Sequence, residues 1–335
     1  MNKRGNVKNI IIDMDGRLGN QMFQYAYGRK LQARYPKSKL LVSFYRISLY
    51  AKMYEKEKGW QDNLQEFNTH YETLDMDNAM LYQNYLTKKQ HFLVRLNQRL
   101  LHHLPFMRRS SYFPYEKLPS LLKRYAQFLY RNGLFIYPSK TADYKKAIKA
   151  DTILCHSYFE DAHFYPEMWK QLHEEFRPKA ELNPQNKDIF EKINNSESVC
   201  VTIRRGDYLS EENKADFFLS DDDYFARGIK IMQEKLEKPT FFFFSDDLDY
   251  ARQFAQNILG DATPYYIETA GNSLGEKIRL MSACKHFVIS NSTFSWWCQF
   301  LSENPEKIVV GPLHWYPVDS INKNDGLVQK EWVKL

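Results

Sequence analysis

Two adjacent arginines directly follow a predicted buried strand in the second half of the chain. The strand reads SVCVTI, and the segment Arg204-Arg205-Gly206-Asp207-Tyr208 comes next. A planar guanidinium binds an oxyanion through two parallel hydrogen bonds, so a position of this kind suits a diphosphate. Because adjacent side chains point to opposite sides, we expect only one arginine to face a ligand. The alternative is a structural network in which the arginines pair with Asp207 and nearby acids.

A run of small polar residues precedes a predicted amphipathic helix near the C-terminus. Asn, Ser and Thr are good N-cap residues, and the free N–H groups of a first helical turn attract phosphate. We predict that this run binds a ligand, with plain helix capping as the alternative, and that the two tryptophans after it belong to the core. The run consists of Asn291, Ser292, Thr293, Phe294 and Ser295.

A third loop, Gly16-Arg17-Leu18-Gly19-Asn20-Gln21, follows the first predicted strand. Its two glycines allow a tight backbone, and its two amides can bond sugar hydroxyl groups or phosphate. The loop does not match G-x-G-x-x-G, so the dinucleotide-binding fingerprint is absent. An ordinary turn leading into a capped helix is the alternative.

Carboxylate pairs are numerous, which makes any one of them weak evidence for a metal site. Metal-dependent sugar transferases hold a divalent ion with such a pair, but we interpret most pairs here as helix N-caps or solvated loops. Cys284 lies near His286 and Cys298, yet it falls on an apolar helix face and is predicted to be a core thiol. We expect no metal and no other cofactor. The acid pairs are Asp13/Asp15, Asp75/Asp77, Asp221/Asp223, Asp246/Asp247 and Asp247/Asp249.

Predicted strands alternate with helices from about residue 190 to residue 320. This alternation is typical of parallel βαβ units in an open α/β sheet, whose ligands bind at the carboxyl ends of the strands. The first half contains predicted strands at 7–12, 39–45 and 152–159.

Length and composition agree with two folded domains. The 335 residues exceed one typical domain of about 150, and the 43% hydrophobic content excludes a disordered chain. We predict an N-terminal α/β domain at 1–177, with a helical insertion at about 46–150, and a C-terminal α/β domain at 190–335. The four cysteines form no C-x-x-C pair and no secretory signal precedes them, which predicts reduced thiols and a cytoplasmic location.

Residues 78–115 contain no acid and carry six basic residues among leucines at helical spacing. One interpretation is a surface helix that packs on its own domain, and the other is a helix on an anionic membrane surface. The net charge of +6 is mild, and acids scattered elsewhere argue against a nucleic-acid partner. The longest uncharged stretch, 286–302, is too polar to predict a transmembrane helix. The six bases are Lys88, Lys89, Arg95, Arg99, Arg108 and Arg109.

Several of these segments together resemble glycosyltransferase family 11, the α-1,2-fucosyltransferases. The resemblance runs in order from residue 10 to the C-terminus, is most specific over 280–315, and is almost absent over 46–150. The segments that carry it are Leu18–Ala26, Ile203–Tyr208, Phe244–Asp247, Leu280–His286 and Asn291–Trp297.

The resemblance implies a GT-B-like α/β fold, with two Rossmann-like domains that face each other across a cleft. It implies that the N-terminal domain, 1–177, is on the acceptor side and that the C-terminal domain, 190–335, binds the donor nucleotide. It implies an inverting transfer of L-fucose from GDP-fucose to the 2-hydroxyl of a galactoside, without a metal, in surface polysaccharide or O-antigen synthesis. The partners are then a nucleotide-sugar donor and a glycan or lipid-linked oligosaccharide acceptor, with no nucleic acid. An acceptor of that kind also favours peripheral contact with the anionic inner face of the membrane.

Roles for individual residues follow from the same resemblance. Arg204 is expected to bind the β-phosphate, and Gly19 and Asn20 to close on the donor from the first domain. Asp207 is our prediction for the base that takes the acceptor hydroxyl proton, with Glu211 and Glu212 as alternatives. The predicted catalytic residues are therefore Arg204 and Asp207, and the predicted donor-binding residues are Gly19, Asn20, Gln21, Thr202, Arg204, Asp246, Glu276, Asn291, Ser292, Thr293, Phe294 and Ser295.

Three positions depart from the family pattern. Thr202 stands where the family usually has His, Arg17 where it has Gly, and Lys277 where it has Asp. The N–H groups of guanine need an acceptor, which lysine is not, so either Glu276 substitutes or the base or the donor is different. The alternatives are therefore the same fold with another nucleotide sugar, or an inactive glycan- or nucleotide-binding protein.

Overall fold

The computed structural model describes residues 6–53, 59–75, 78–138, 140, 143–209, 214–217, 220–317 and 326–335. The described chain divides into two compact units. The first contains the residues up to Gln65 and Thr69–Met168, and the second contains Glu66–Asn68 and the chain from Trp169. Each unit is built around one parallel sheet.

The first sheet has the order β3-β2-β1-β5-β4, and its strand pairs are all parallel. Its edge strands β3 and β4 have two residues each and fall inside 46–150. The predicted helical insertion is therefore corrected: it also contributes both edges of the sheet. The strands are β1 (Asn9–Asp13), β2 (Lys39–Ser43), β3 (Glu72–Thr73), β4 (Leu134–Phe135) and β5 (Thr152–Cys155).

The second sheet has the order β11-β10-β9-β6-β7-β8, again parallel throughout. Two such sheets in one chain confirm the predicted α/β, GT-B-like class with two Rossmann-like domains. The strands are β6 (Glu197–Ile203), β7 (Pro239–Ser245), β8 (Tyr265–Ile267), β9 (His286–Ile289), β10 (Val309–Gly311) and β11 (Val333–Lys334).

Helices connect these strands. Those of the first unit are α1 (Leu18–Arg34), α2 (Tyr45–Met53), α3 (Met80–Gln83), α4 (Lys88–His103), α5 (Pro105–Ser110) and α6 (Ser120–Arg131). Those of the second are α7 (Trp169–Glu175), α8 (Lys187–Asn195), α9 (Lys214–Phe217), α10 (Asp222–Lys235), α11 (Leu248–Leu259), α12 (Leu274–Ala283) and α13 (Thr293–Leu301). In the described residues, no helix combines the length and apolarity needed to span a bilayer.

The core of the second unit explains the apolar runs of its central strands. A parallel strand covered on both faces reads as a continuous hydrophobic segment, and Phe241–Phe244 are all buried. Phe243 packs into the cluster that contains Phe254 of α11, whereas Phe242 stacks on Tyr266 with ring centroids 5.3 Å apart. Trp296 and Trp297 are fully buried, which confirms them as core residues.

The second unit begins at Trp169, whereas the sequence placed the end of the first domain at residue 177. The reason is that α7 is bonded to the end of α13. The Trp169 indole N–H donates to the Phe300 carbonyl at 2.7 Å, and His173 Nδ1 lies 3.0 Å from the Leu301 carbonyl.

Candidate functional site

The strand order of the second sheet determines where a ligand is expected. The chain runs from β6 outward to β8 and then returns to the other side of β6, so the order reverses between β6 and β9. Open α/β sheets bind ligands at the carboxyl ends of the strands beside such a reversal, the topological switch point. The loop after β6 and the start of α13 both lie there.

Asp246 fixes the loop that follows β6. One of its oxygens accepts from Arg204 Nη1 at 2.8 Å, and the other accepts from the Arg205 backbone N–H at 3.0 Å. A Cβ on Gly206 would lie 2.6 Å from the Asp246 carboxylate, so a larger residue there would displace that carboxylate. The Arg204 side chain is 28% exposed. The structure thus holds Arg204 in place and leaves part of it open to solvent.

Arg205 is held on a different element. Its guanidinium carbon lies 3.6 Å from the centroid of the Tyr250 ring on α11, a cation–π distance. Its Nε lies 3.5 Å from the Asp247 carboxylate. The two arginines therefore have separate roles, since Arg205 packs on α11 while Arg204 is paired with Asp246.

The start of α13 is linked to the same loop. Ser292 is its N-cap residue, and the Ser292 side chain makes no capping hydrogen bond. The Tyr208 hydroxyl donates to the Asn291 carbonyl at 3.3 Å, and the Asn291 amide donates to the Trp315 carbonyl at 3.1 Å. These contacts bring the loop after β6 against the N-terminal turn of α13, where backbone N–H groups attract anions.

Thr202, near the end of β6, is buried and bonded to the residue that follows β9. Its hydroxyl oxygen accepts from the Ser290 N–H at 3.2 Å, and Ser290 Oγ lies 3.4 Å from Ser295 Oγ. Thr202 thus positions the strand end that leads into α13. Thr293 and Phe294, in the first turn of α13, are half-buried.

A cavity of about 640 Å³ opens beside the loop that follows β6. Ligand sites range from about 300 to 1,000 Å³, so its size suits a small molecule. Its walls come from the loops after β6, β7 and β8, through Arg205, Gly206, Leu209, Asp246, Asp247, Leu248, Asp249, Arg252 and Ala270.

Glu276, predicted to bind the donor, is hydrogen-bonded to residues of the second unit. One carboxylate oxygen accepts from the Asn183 N–H at 3.0 Å and from the Asn186 amide at 2.9 Å, and the other pairs with Arg279 Nη1 at 3.0 Å. The side chain is 7% exposed. Glu276 therefore serves as a buried acceptor within its own unit.

Lys277, the departure from the family pattern, pairs with a second buried acid. Its Nζ lies 3.0 Å from Glu268, which directly follows β8 and is fully buried. The same Glu268 oxygen accepts from the Ser245 N–H at 3.0 Å. Burial raises the pKa of Glu268, and the Lys277 ammonium opposes that shift.

The comparison with known families decides the identity. The model of glycosyl transferase family 11 matches residues 9–335. The chain belongs to glycosyltransferase family 11. An α-1,2-colitosyltransferase of Escherichia coli is 26% identical to this family 11 protein over 336 residues, 97% of this chain and 98% of the relative. The O-antigen biosynthesis glycosyltransferase WbnK of Escherichia coli is 25% identical over 340 residues, 96% of this chain and 99% of the relative.

A mammalian relative and two solved structures are also similar to this family 11 enzyme. Galactoside 2-α-L-fucosyltransferase Sec1 of Mus musculus is 28% identical over 150 residues, 42% of this chain and 38% of the relative. Escherichia coli ADP-heptose LPS heptosyltransferase II has 15% identity and a TM-score of 0.42, covering 98% of this chain and 90% of that one. POFUT1 in complex with GDP has 11% identity and a TM-score of 0.43, covering 92% and 99%.

The family 11 fold brings most of the predicted donor-binding residues to one edge of the second sheet. Gly19, Asn20 and Gln21 belong instead to the first unit. Gln21 is buried there: its amide donates to the Gln61 carbonyl at 2.9 Å, and its oxygen accepts from the Asn63 N–H at 3.0 Å. The side chain of Asp207 and residues 210–213, which include the alternative bases, lie outside the described residues.

Two other interpretations of the family 11 sequence can be compared with the structure. Asp221 and Asp247 are N-caps of α10 and α11, as expected for most acid pairs. Cys284 is a buried free thiol, as predicted. Sequence reasoning missed Glu268 and Tyr250. Glu268 directly follows β8, and that position at a strand end was the available signal. Tyr250 lies in the first turn of α11.

Proposed function

We propose that this glycosyltransferase moves L-fucose from GDP-fucose to the 2-hydroxyl of a galactoside, with inversion, in surface polysaccharide or O-antigen synthesis. The observation that carries the proposal is Arg204, held by Asp246 beside the N-terminal turn of α13 at a topological switch point. The relatives support it, because an α-1,2-colitosyltransferase and a galactoside 2-α-L-fucosyltransferase both attach a sugar at position 2.

The chemistry required of this edge is stabilisation of a leaving diphosphate. Negative charge develops on the diphosphate as its bond to the anomeric carbon breaks. Donors that are already fixed stabilise such charge without reorganisation. The Arg204 guanidinium and the N–H groups of α13 are donors of this kind, since Asp246 and Tyr208 hold them. In this proposal they perform the role that a divalent cation has in other transferases.

A second candidate is the same reaction with another nucleotide sugar. It is favoured by the state of Glu276, whose oxygens already accept from Asn183, Asn186 and Arg279. The next residue, Lys277, carries an ammonium group. An ammonium only donates hydrogen bonds, so it cannot accept one from the N–H groups of guanine.

We expect GDP release from GDP-fucose to require a galactoside such as lactose and to continue at the same rate in EDTA. The fixed guanidinium and helix N–H groups are the physical reason. Nucleotide release is measured with GDP-fucose and, in parallel, with UDP-galactose. Turnover lost in EDTA and restored by Mn²⁺ contradicts the metal-free mechanism. Turnover only with UDP-galactose rejects the fucose donor and keeps the phosphate site, whereas GDP binding without turnover indicates an inactive binding protein.

We also propose that α4 and α5 rest on an anionic membrane. All six bases of residues 88–109 are exposed. Large apolar side chains are exposed among them, with Phe92 at 64% and Phe106 at 57%. Leu93, in contrast, is buried in its own unit. One face of α4 therefore packs on its domain, and the opposite face is exposed and available to a membrane. Bases combined with exposed aromatic rings suit a membrane interface.

The corresponding prediction concerns binding to lipid vesicles. Each base near an anionic surface contributes about 1 kcal/mol, so Arg95→Ala with Arg99→Ala should weaken binding about 30-fold. Flotation with phosphatidylserine-containing vesicles measures this, and Lys230→Ala with Lys235→Ala on α10 is the matched control. Equal flotation of the wild type with neutral and anionic vesicles would refute the membrane contact.

A further inference from the structure

The carboxyl end of α13 is held by side chains from other elements. The last four carbonyl groups of an α-helix have no partner within the helix. In α13 these are the carbonyls of Gln299, Phe300, Leu301 and Ser302. The first accepts from Lys307 Nζ, which also lies 3.4 Å from the fourth. The second accepts from the Trp169 indole at 2.7 Å, and the third lies 3.0 Å from His173 Nδ1. Together these side chains give all four carbonyls a partner.

Two longer helices of the second unit end in another way. At the carboxyl ends of α10 and α11, the backbone N–H of the C-cap residue bonds to a carbonyl of the helix itself. The last turn of α13 contains no basic residue. Basic side chains, which stabilise a helix carboxyl end when they are charged, therefore reach α13 from α7 and from the segment before β10.

His173 has an acceptor beside each of its ring nitrogens. Nδ1 lies 3.0 Å from the Leu301 carbonyl, and Nε2 lies 3.0 Å from the Glu303 carboxylate. Both oxygens only accept hydrogen bonds, and a neutral imidazole has a single N–H. Both contacts are hydrogen bonds only when each nitrogen carries a proton, so the geometry indicates an imidazolium. The His173 ring is 19% exposed and stacks on Trp169 with centroids 4.9 Å apart, which fixes its orientation.

Lys307 differs from His173 in what the loss of a proton changes. Burial lowers the pKa of Lys307 to about 8, and the charge of Glu331 opposes that shift. A neutral amine still has two N–H groups for its two carbonyls, whereas a neutral imidazole has one N–H for two acceptors. The hydrogen bonds of His173 therefore depend on its charge, and those of Lys307 do not.

The two ends of α13 have different tasks in the proposed function. At the N-terminus the Ser292 side chain makes no capping hydrogen bond, and the N–H groups of that turn receive the diphosphate. The nine residues of α13 form a rod about 14 Å long, so a displacement of the carboxyl end also moves the N-terminal turn. The carboxyl end is further tied to α12, because Ser302 Oγ donates to the carbonyl of its C-cap residue Cys284 at 2.9 Å.

We infer that His173 is a positioning residue for sugar transfer: its imidazolium joins the carboxyl end of α13 to Glu303 and so holds the N-terminal turn where the diphosphate of the donor binds. The inference rests on the proposed function. His173 acts through α13, because the length of that helix separates its ring from the N-terminal turn. Trp169 supports the same arrangement by bonding the neighbouring carbonyl and by stacking on the ring.

The test compares the KM for GDP-fucose with the KM for lactose. His173→Phe keeps a ring against Trp169 and removes both N–H groups, so the KM for GDP-fucose should rise about tenfold, as expected for two lost hydrogen bonds. The KM for lactose should be unchanged. A variant that only reduced the amount of folded protein would lower kcat and leave both KM values as they are.

Two further variants complete the comparison. His173→Asn keeps an N–H for the Leu301 carbonyl and loses the bond to Glu303, so its KM for GDP-fucose should be only about two- to threefold above that of the wild type. The matched control is His163→Asn. His163 is also paired with a carboxylate, Asp161 at 2.9 Å, but it is 89% exposed, so this variant should behave as the wild type does.

Two measurements need no sugar transfer. The affinity for inorganic pyrophosphate, measured by calorimetry, should fall about tenfold in His173→Phe and about two- to threefold in His173→Asn. The ¹⁵N chemical shifts of the His173 ring in the wild type, assigned by their loss in the variants, should show a proton on each nitrogen at neutral pH. The His173→Asn and ¹⁵N results stand on their own if His173→Phe does not fold.

The outcomes separate this inference from the proposed function. If the wild type transfers no fucose to lactose, the proposed function fails, and the pyrophosphate affinities still test the inference. Pyrophosphate affinities in both His173 variants equal to that of the wild type overturn the inference, as does a ring that carries a single proton. If the KM for lactose rises as much as the KM for GDP-fucose, His173 has no particular effect on the donor and the inference is also overturned.

Discussion

Arg204→Ala should reduce fucose transfer by about 10²–10³, equivalent to about 2.7–4 kcal/mol of transition-state stabilisation. The loop should remain folded, because Asp246 still accepts from the Arg205 backbone N–H. Arg204→Lys should recover part of the rate, since lysine restores the charge and not the planar fork. The measurement is kcat and kcat/KM for GDP-fucose together with GDP affinity.

The control for this variant is an arginine with an ordinary surface role. Arg227 on α10 pairs with Asp223 at 2.8 Å and is exposed, so Arg227→Ala should retain wild-type turnover. If Arg204→Ala also retains wild-type turnover, the diphosphate does not depend on this guanidinium. Arg205, packed on Tyr250, then becomes the residue to test.

Glu276→Ala should destabilise the second unit by about 3–5 kcal/mol, the usual cost of removing one partner of a buried ion pair. The substitution leaves the Arg279 guanidinium, the Asn186 amide and the Asn183 N–H without their acceptor. A thermal unfolding midpoint lowered by on the order of 10 °C is expected for a unit of this size. GDP and UDP should be affected alike, because this carboxylate is occupied by its own unit.

An exposed ion pair serves as the control for the buried pair of Glu276 and Arg279. Glu174 and Arg177 have the same spacing along the chain but are exposed, at 57–58%. Exposed pairs contribute about 0–1 kcal/mol, so Glu174→Ala should scarcely move the midpoint. A Glu276→Ala protein of unchanged stability that binds GDP much more weakly than UDP would instead support the guanine-binding role predicted from the sequence.

The second sheet was largely predictable because its strands are long and buried on both faces. SVCVTI and TFFFFS match β6 and β7 to within one residue, since continuous apolar runs between helices carry a strong signal. The loops after β6, β7 and β9 followed from the rule on strand ends. The edge strands β3 and β4 were not predictable, because two residues are too few for any periodicity.

The sequence could predict where candidate site residues lie along the chain. It could not predict which residues form hydrogen bonds with them. The sequence places Glu276 beside Lys277, but it cannot show that Asn183 and Asn186, about 90 residues earlier, bond its carboxylate. Nothing local marks His173 either, because the carbonyl and the carboxylate beside its ring lie about 130 residues later in the chain.

The distribution of charge has a consequence for how the enzyme would find a lipid-linked acceptor. Residues 78–142 contain eleven Lys and Arg and one acidic residue in a chain of net charge +6, so the rest of the chain is net acidic. Under the proposed membrane contact, an anionic bilayer would attract this basic segment within about 8 Å at physiological ionic strength. A protein held at the membrane in this way would search for its acceptor in two dimensions rather than three.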